Sequence, residues 1–130
     1  MSSNKQQSVR TALGKVRGLG SAKEGAGHFI TQRVSAIALL FLVPWFLISL
    51  LAAVRGGYDG AVDFIANPIN AVLILLSVGV ALYHMRIGMQ VVIEDYIAKT
   101  GTKLFLLILN TFVCVGLFAA AAFSILEIAT

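Results

Sequence analysis

A chain of 130 residues that is 58% hydrophobic and only 12% charged lacks the polar surface that a water-soluble domain needs. The composition indicates an integral membrane protein with one small helical domain, too thin to enclose a large site alone, so we expect a partner subunit. The single cysteine, Cys114, excludes an internal disulfide and a multi-cysteine metal or iron–sulfur site. The formal net charge of +4 is concentrated near the N-terminus, which favours membrane-surface or protein docking over nucleic-acid binding.

Residues 1–33 form a basic segment that we predict to be a flexible or partly helical cytoplasmic arm. Six Lys and Arg side chains accompany one acid, Glu24, and five glycines loosen the backbone. The segment lacks the short apolar core and small-residue cleavage site of a secretory signal. We therefore expect it to remain in the mature chain.

Residues 34–130 contain three apolar runs and are predicted to form an all-α, three-helix transmembrane domain. Residues 34–54 carry no charge and span about 31 Å as a helix, enough for one bilayer crossing. The second and third spans are predicted at residues 68–93 and 104–126.

The connections between these runs differ in character. Residues 55–67 contain several glycines and two acids and are predicted to be a loop. Asn67 and Pro68 resemble a helix N-cap followed by proline at the first helical position. Residues 94–103 are predicted to be a short polar connection.

The loop charges predict the orientation. The N-terminal arm is basic and the second connection carries Lys99 and Lys103, whereas the first loop has only Arg55 and the C-terminal tail has no Lys or Arg. The positive-inside rule therefore places the N-terminus in the cytoplasm and the C-terminus in the periplasm.

The last part of the second span carries ionisable residues. Placing such residues in the hydrocarbon core of a membrane costs free energy, so their presence suggests a function. His84 precedes Glu94 by ten residues, so it lies roughly 15 Å below the helix end. A neutral imidazole there suits ligation of haem iron, and Gly88, one turn later, would let a flat macrocycle approach the backbone. Asp95 returns to within about 20° of the His84 direction at 3.6 residues per turn.

Other interpretations of these residues stay open. The second histidine, His28, precedes the first span and is too shallow to share an iron with His84, so a bis-histidine haem would need a ligand from another polypeptide. Alternatively, His84 is an interhelical hydrogen-bonding residue and Arg86 pairs with a carboxylate. An acid and a tyrosine at a helix end are also common as a solvated charge and an interfacial aromatic anchor.

One set of residues resembles a known family. His84, Gly88, Asp95 and Tyr96 follow the pattern H-x-x-x-G-x(6)-D-Y at the end of the second span. Before the first span the chain reads Gly20-Ser21-Ala22-Lys23-Glu24-Gly25, then His28-Phe29, Gln32-Arg33 and Ser35-Ala36-Ile37. Together these motifs resemble the alphaproteobacterial version of the hydrophobic membrane anchor of succinate dehydrogenase, which is complex II.

The resemblance implies roles for five residues. His84 would be one axial ligand of a b-type haem, with the other histidine supplied by the partner anchor (cytochrome b) subunit, and Gly88 would adjoin the haem. Arg33 would face the haem propionates. Tyr96 would donate a hydrogen bond to a ubiquinone carbonyl, and Asp95 would orient the tyrosine or pass protons.

The resemblance also implies a function. The chain would anchor a flavoprotein and an iron–sulfur subunit to the bacterial cytoplasmic membrane as part of succinate:ubiquinone oxidoreductase, without itself binding succinate. It transfers no role to His28 or Arg86. The alternatives are an anchor of a quinol:fumarate reductase and a non-redox membrane scaffold protein.

Overall fold

The structure, a computed structural model, describes residues 20–130, with side chains from residue 26 onward. Its helices are α1 (Gly20–Val54), α2 (Gly57–Ala66), α3 (Pro68–Tyr96) and α4 (Thr100–Ala129). The described chain contains two structural units, one ending at Thr31 and the other comprising Gln32–Thr130. The all-α prediction is confirmed.

Three of the helices are long and apolar enough to cross a membrane, as predicted: Ala26–Val54, Pro68–Tyr96 and Thr100–Ala129. Each continues beyond the apolar run that predicted it. The helix α3 reaches Tyr96 and α4 begins at Thr100, so the connection between them shortens to residues 97–99. The helical backbone hydrogen bonds continue past the last residue of each apolar run, because polar side chains at a membrane interface do not interrupt a helix.

The prediction of a loop at residues 55–67 is wrong, because ten of these residues form α2. The turn into α2 depends on Gly57, whose φ of 71° lies in the left-handed region. Gly60 then passes so close to α1 that a Cβ on it would lie 2.6 Å from the Ala53 carbonyl oxygen. The glycines that suggested a loop therefore permit a tight helix–turn–helix connection.

One cluster of buried apolar side chains lies at the end of the bundle that includes α2, and the buried Ile87 and Cys114 lie outside it. The cluster consists of Ala71, Ile74 and Ile125, so it joins the first half of α3 to the end of α4. Side chains of α1 and α2 pack around it, and the rings of Trp45 and Phe64 lie with centroids 6.2 Å apart. Apolar contacts with this core explain why α2 forms despite its glycines, because packing overrides weak helix propensity.

The start of α3 is as predicted. The Asn67 side chain accepts hydrogen bonds from the backbone N–H groups of Ile69 at 3.0 Å and Asn70 at 3.3 Å, and Pro68 follows it. This cap satisfies two of the donors that a helix N-terminus leaves unpaired.

Large apolar side chains cover the outside of the spanning helices. Phe41 on α1, Val72 on α3 and Phe112 on α4 are 71%, 65% and 71% exposed. Such surfaces are stable against lipid or against apolar helices of another chain, and not against water.

Candidate functional site

His84 lies on the face of α3 that meets α1. Its Nδ1 atom is 2.8 Å from the hydroxyl oxygen of Ser35, which is only 5% exposed. The same hydroxyl donates to the backbone carbonyl of Gln32, one turn earlier on α1, at 3.0 Å. The imidazole is half-buried and is held through one of its two nitrogens. Nε2 is therefore the nitrogen available to a further ligand.

Gly88 lies one helical turn after His84 on the same side of α3. A Cβ built on Gly88 would be 3.6 Å from Nε2 of the Gln32 side chain, an ordinary van der Waals contact. The other amide atom of that side chain, Oε1, is buried and has no hydrogen-bond partner among the described residues. The pair His84 and Gly88 thus faces the pair Gln32 and Ser35.

Arg33 does not share that face of α1. It precedes Ser35 by two residues, which corresponds to about 200° around a helix, and its side chain is exposed. Arg33 therefore starts from a different side of α1 than Ser35, the residue that contacts His84.

Asp95 and Tyr96 occupy the last turn of α3. Both are exposed, and Tyr96 is 82% exposed. They follow His84 by eleven and twelve residues, so they lie roughly 16–18 Å further along the helix axis. One turn before them, the Gln90 amide donates to the Glu94 carboxylate at 3.1 Å. The helix end thus presents a phenol and carboxylates outward, while His84 lies deeper.

Arg86 faces α4. Its Nε donates to the Thr111 hydroxyl at 3.3 Å, and its backbone carbonyl accepts a hydrogen bond from the Asn110 amide at 3.0 Å. Asn110 in turn accepts a long contact of 3.8 Å from the Cys114 thiol. The structure therefore gives Arg86 a hydroxyl partner in place of a carboxylate, and the buried Cys114 belongs to the same interface.

Sequence reasoning gave no role to Ser35, Asn110 or Thr111. Small polar residues inside apolar spans are typical interhelical hydrogen-bonding residues, so each carried a signal. That signal identifies no partner, however, because it does not fix which helices are neighbours. The remaining histidine, His28, is half-buried in the unit that ends at Thr31.

The geometry defines a class of protein: a multi-pass helical membrane protein with one deep imidazole and an exposed acid–phenol pair on the same span. Within the described residues, no group of three or more His, Cys, Asp or Glu side chains could hold a metal ion.

Comparison with known proteins gives the family. The profile of the succinate dehydrogenase/fumarate reductase transmembrane subunit family matches residues 7–119, and the chain belongs to this family. The succinate dehydrogenase hydrophobic membrane anchor subunit of Rickettsia bellii is 39% identical over 89 residues, which are 68% of this chain and 71% of that protein. The subunit of the same name from Paracoccus denitrificans is 32% identical over 108 residues, 83% of each chain. No solved structure matches the chain.

Proposed function

We propose that this chain is the hydrophobic membrane anchor of a succinate dehydrogenase, that it supplies one axial ligand of a b-type haem, and that it forms part of a ubiquinone-reduction site. The observation that carries the proposal is a deep imidazole held through Nδ1 in a chain that belongs to the succinate dehydrogenase/fumarate reductase family. The relatives described above are named as anchors of succinate dehydrogenase. Their names favour a role in succinate oxidation over a role in a quinol:fumarate reductase or as a non-redox scaffold.

The residues around His84 fit a haem. The 2.8 Å contact fixes the ring while leaving Nε2 for iron, and Gly88 lies one turn later on the same side, next to the Gln32 side chain. A bound haem supplies a one-electron carrier within the membrane. The second histidine ligand would come from a partner anchor subunit, because His28 precedes the apolar run of the first span and His84 lies deep in the second. Arg33, an exposed residue in the first half of α1, carries a guanidinium suited to pair with a propionate.

Asp95 and Tyr96 provide the groups that quinone reduction needs at the membrane surface. Reduction of a quinone consumes two electrons and two protons, so the site requires a hydrogen-bond donor to the carbonyl and a path for protons from water. The exposed Tyr96 hydroxyl donates to the quinone carbonyl, and the neighbouring Asp95 carboxylate orients it or transfers protons. With the N-terminus in the cytoplasm, both groups face the side where a flavoprotein and an iron–sulfur subunit would dock.

Replacement of His84 tests the haem assignment. In the complex purified in mild detergent, we expect His84→Ala to lose the absorbance of a haem with two histidine ligands, while His28→Ala keeps it. Both variants remove an imidazole from the same chain, so a general effect on expression would appear in both. An unchanged haem spectrum in His84→Ala would refute the ligation.

Replacement of Tyr96 tests the quinone assignment. We expect Tyr96→Phe to keep succinate oxidation with a soluble dye acceptor and to lose quinone reduction. Tyr58→Phe is the matched control, because Tyr58 is 83% exposed but lies on α2, beyond the other end of α3. Equal losses with dye and quinone, or equal effects in the two variants, would argue against the assignment.

A further inference from the structure

We propose that Ser35 is a positioning residue for the proposed haem ligand: its hydroxyl accepts a hydrogen bond from Nδ1–H of His84 and thereby directs the Nε2 lone pair to the iron. This inference rests on the haem ligation proposed above and goes beyond it by assigning the group that sets the state of the imidazole. The assignment follows from two distances on one hydroxyl oxygen.

The Ser35 hydroxyl has one hydrogen and two polar neighbours: a carbonyl oxygen, which only accepts, and an imidazole nitrogen, which donates or accepts according to the tautomer. The Gln32 carbonyl is 3.0 Å away, and His84 Nδ1 is 2.8 Å away. A backbone carbonyl can only accept, so the hydroxyl hydrogen satisfies it and the hydroxyl lone pairs face Nδ1. Both contacts are then hydrogen bonds only if Nδ1 carries the proton of the neutral ring.

The opposite assignment is incompatible with ligation. If the Ser35 hydroxyl donated to Nδ1, the proton of the neutral ring would be on Nε2, which then could not bind iron. The carbonyl of Gln32 therefore helps to select the tautomer through Ser35. Ligating histidines commonly donate their second ring N–H to an oxygen, and that bond fixes the ring orientation and increases the basicity of the ligand.

The location of Ser35 protects its hydrogen bond with His84 from water. Ser35 is 5% exposed and lies on α1, so its hydroxyl has no competing bulk water. The contact joins residues 49 positions apart in sequence and ties the first span to the second at the depth of the proposed haem. Loss of the hydroxyl would leave Nδ1–H unpaired in an apolar interface, which is a costly state.

The test uses the purified complex and a redox titration of the haem. A more basic imidazole favours the ferric state, so we expect Ser35→Ala to raise the haem midpoint potential and to accelerate haem loss on dilution roughly tenfold. Ser35→Thr keeps the hydroxyl and should resemble the unsubstituted chain. Ser77→Ala is the matched control, because Ser77 is 8% exposed but donates only within its own helix, to the Leu73 carbonyl.

A second pair of variants separates chemistry from packing. Threonine and valine have nearly the same shape, so Ser35→Val and Ser35→Thr differ in the hydroxyl alone. A raised potential in Ser35→Val but not in Ser35→Thr supports the inference, even if Ser35→Ala assembles poorly. Equal potentials in the Ser35→Ala, Ser35→Val and Ser35→Thr complexes would overturn it.

His84→Ala in the same titration distinguishes the two proposals. If His84→Ala lacks the haem signal while all Ser35 variants titrate alike, the ligand assignment stands and the role of Ser35 is wrong. If His84→Ala retains the haem signal, the proposed function fails at this residue and the inference about Ser35 fails with it.

Discussion

The hydrogen bond between Arg86 and Thr111 predicts a measurable effect on stability. Arg86 lies ten residues before the end of α3, so its Cα atom is roughly 15 Å from the helix end along the axis. At this depth a cation is tolerated when protein groups replace water. Thr111→Val removes the hydroxyl that accepts the Arg86 Nε–H at 3.3 Å and changes the side-chain shape very little.

The expected cost is modest because the contact is a single, slightly long hydrogen bond. Interhelical hydrogen bonds in membrane proteins contribute about 0.6 kcal/mol on average and about 1.7 kcal/mol at most. We expect the loss of folding free energy in Thr111→Val to fall in this range. The Thr111 hydroxyl accepts from a charged donor, which strengthens the bond, but the residue is only half-buried. A loss of that size lowers the folding equilibrium constant roughly 3- to 20-fold.

The assay is proteolysis of the complex in SDS mixed micelles, with the protease-resistant fraction of this chain as the readout. Thr111 also donates to the Leu107 carbonyl within α4 at 3.1 Å, so Ser124→Ala is the control for loss of an own-helix bond. A double-mutant cycle with Arg86→Met isolates the pair. Costs that add to within about 0.3 kcal/mol would show that the two side chains do not interact and would refute the reasoning.

Three further predictions test a helix cap, a close contact between helices and the orientation of the chain in the membrane. Asn67→Ala should destabilise α3 by about 1 kcal/mol in the same assay, because it removes an N-cap acceptor; Asn67→Asp should retain most of the stability. Gly60→Ala should lower the yield of folded complex, because its Cβ meets a backbone carbonyl at 2.6 Å, whereas Gly101→Ala has open space and should fold normally. For orientation, a membrane-impermeant thiol reagent should label Ala98→Cys from the cytoplasm and Tyr58→Cys from the periplasm; the reverse pattern would contradict the predicted topology, and the native cysteine is buried.

The sequence predicted the three spans and the start of α3 because those features are local. A long uncharged run is sufficient to predict a membrane helix, and Asn67 followed by Pro68 is sufficient to predict its first turn. The ends near Tyr96 and Thr100 were predicted less well. Hydrophobicity marks the bilayer core, whereas the helix ends where backbone hydrogen bonds end, and the two boundaries differ by several residues.

The helix α2 and the contacts of the site required the structure. In α2, the glycine content predicted a loop. The contacts of Phe64 with the buried cluster outweigh the low helix propensity of these glycines. The sequence identified His84 as a deep imidazole without identifying Ser35 as its partner, because the residues are 49 positions apart. Their proximity depends on how α1 packs against α3, which no local pattern encodes.

Two polar contacts of α3 restrict its rotation about its own axis. His84 bonds to α1, and Arg86, about 200° further around the helix, bonds to α4. A large rotation of α3 about its axis would break both contacts, so the two bonds at nearly the same level of the helix restrict its rotation. Asp95, eleven residues after His84, inherits a direction within about 20° of it. The exposed Asp95 therefore projects from nearly the same side of α3 as His84.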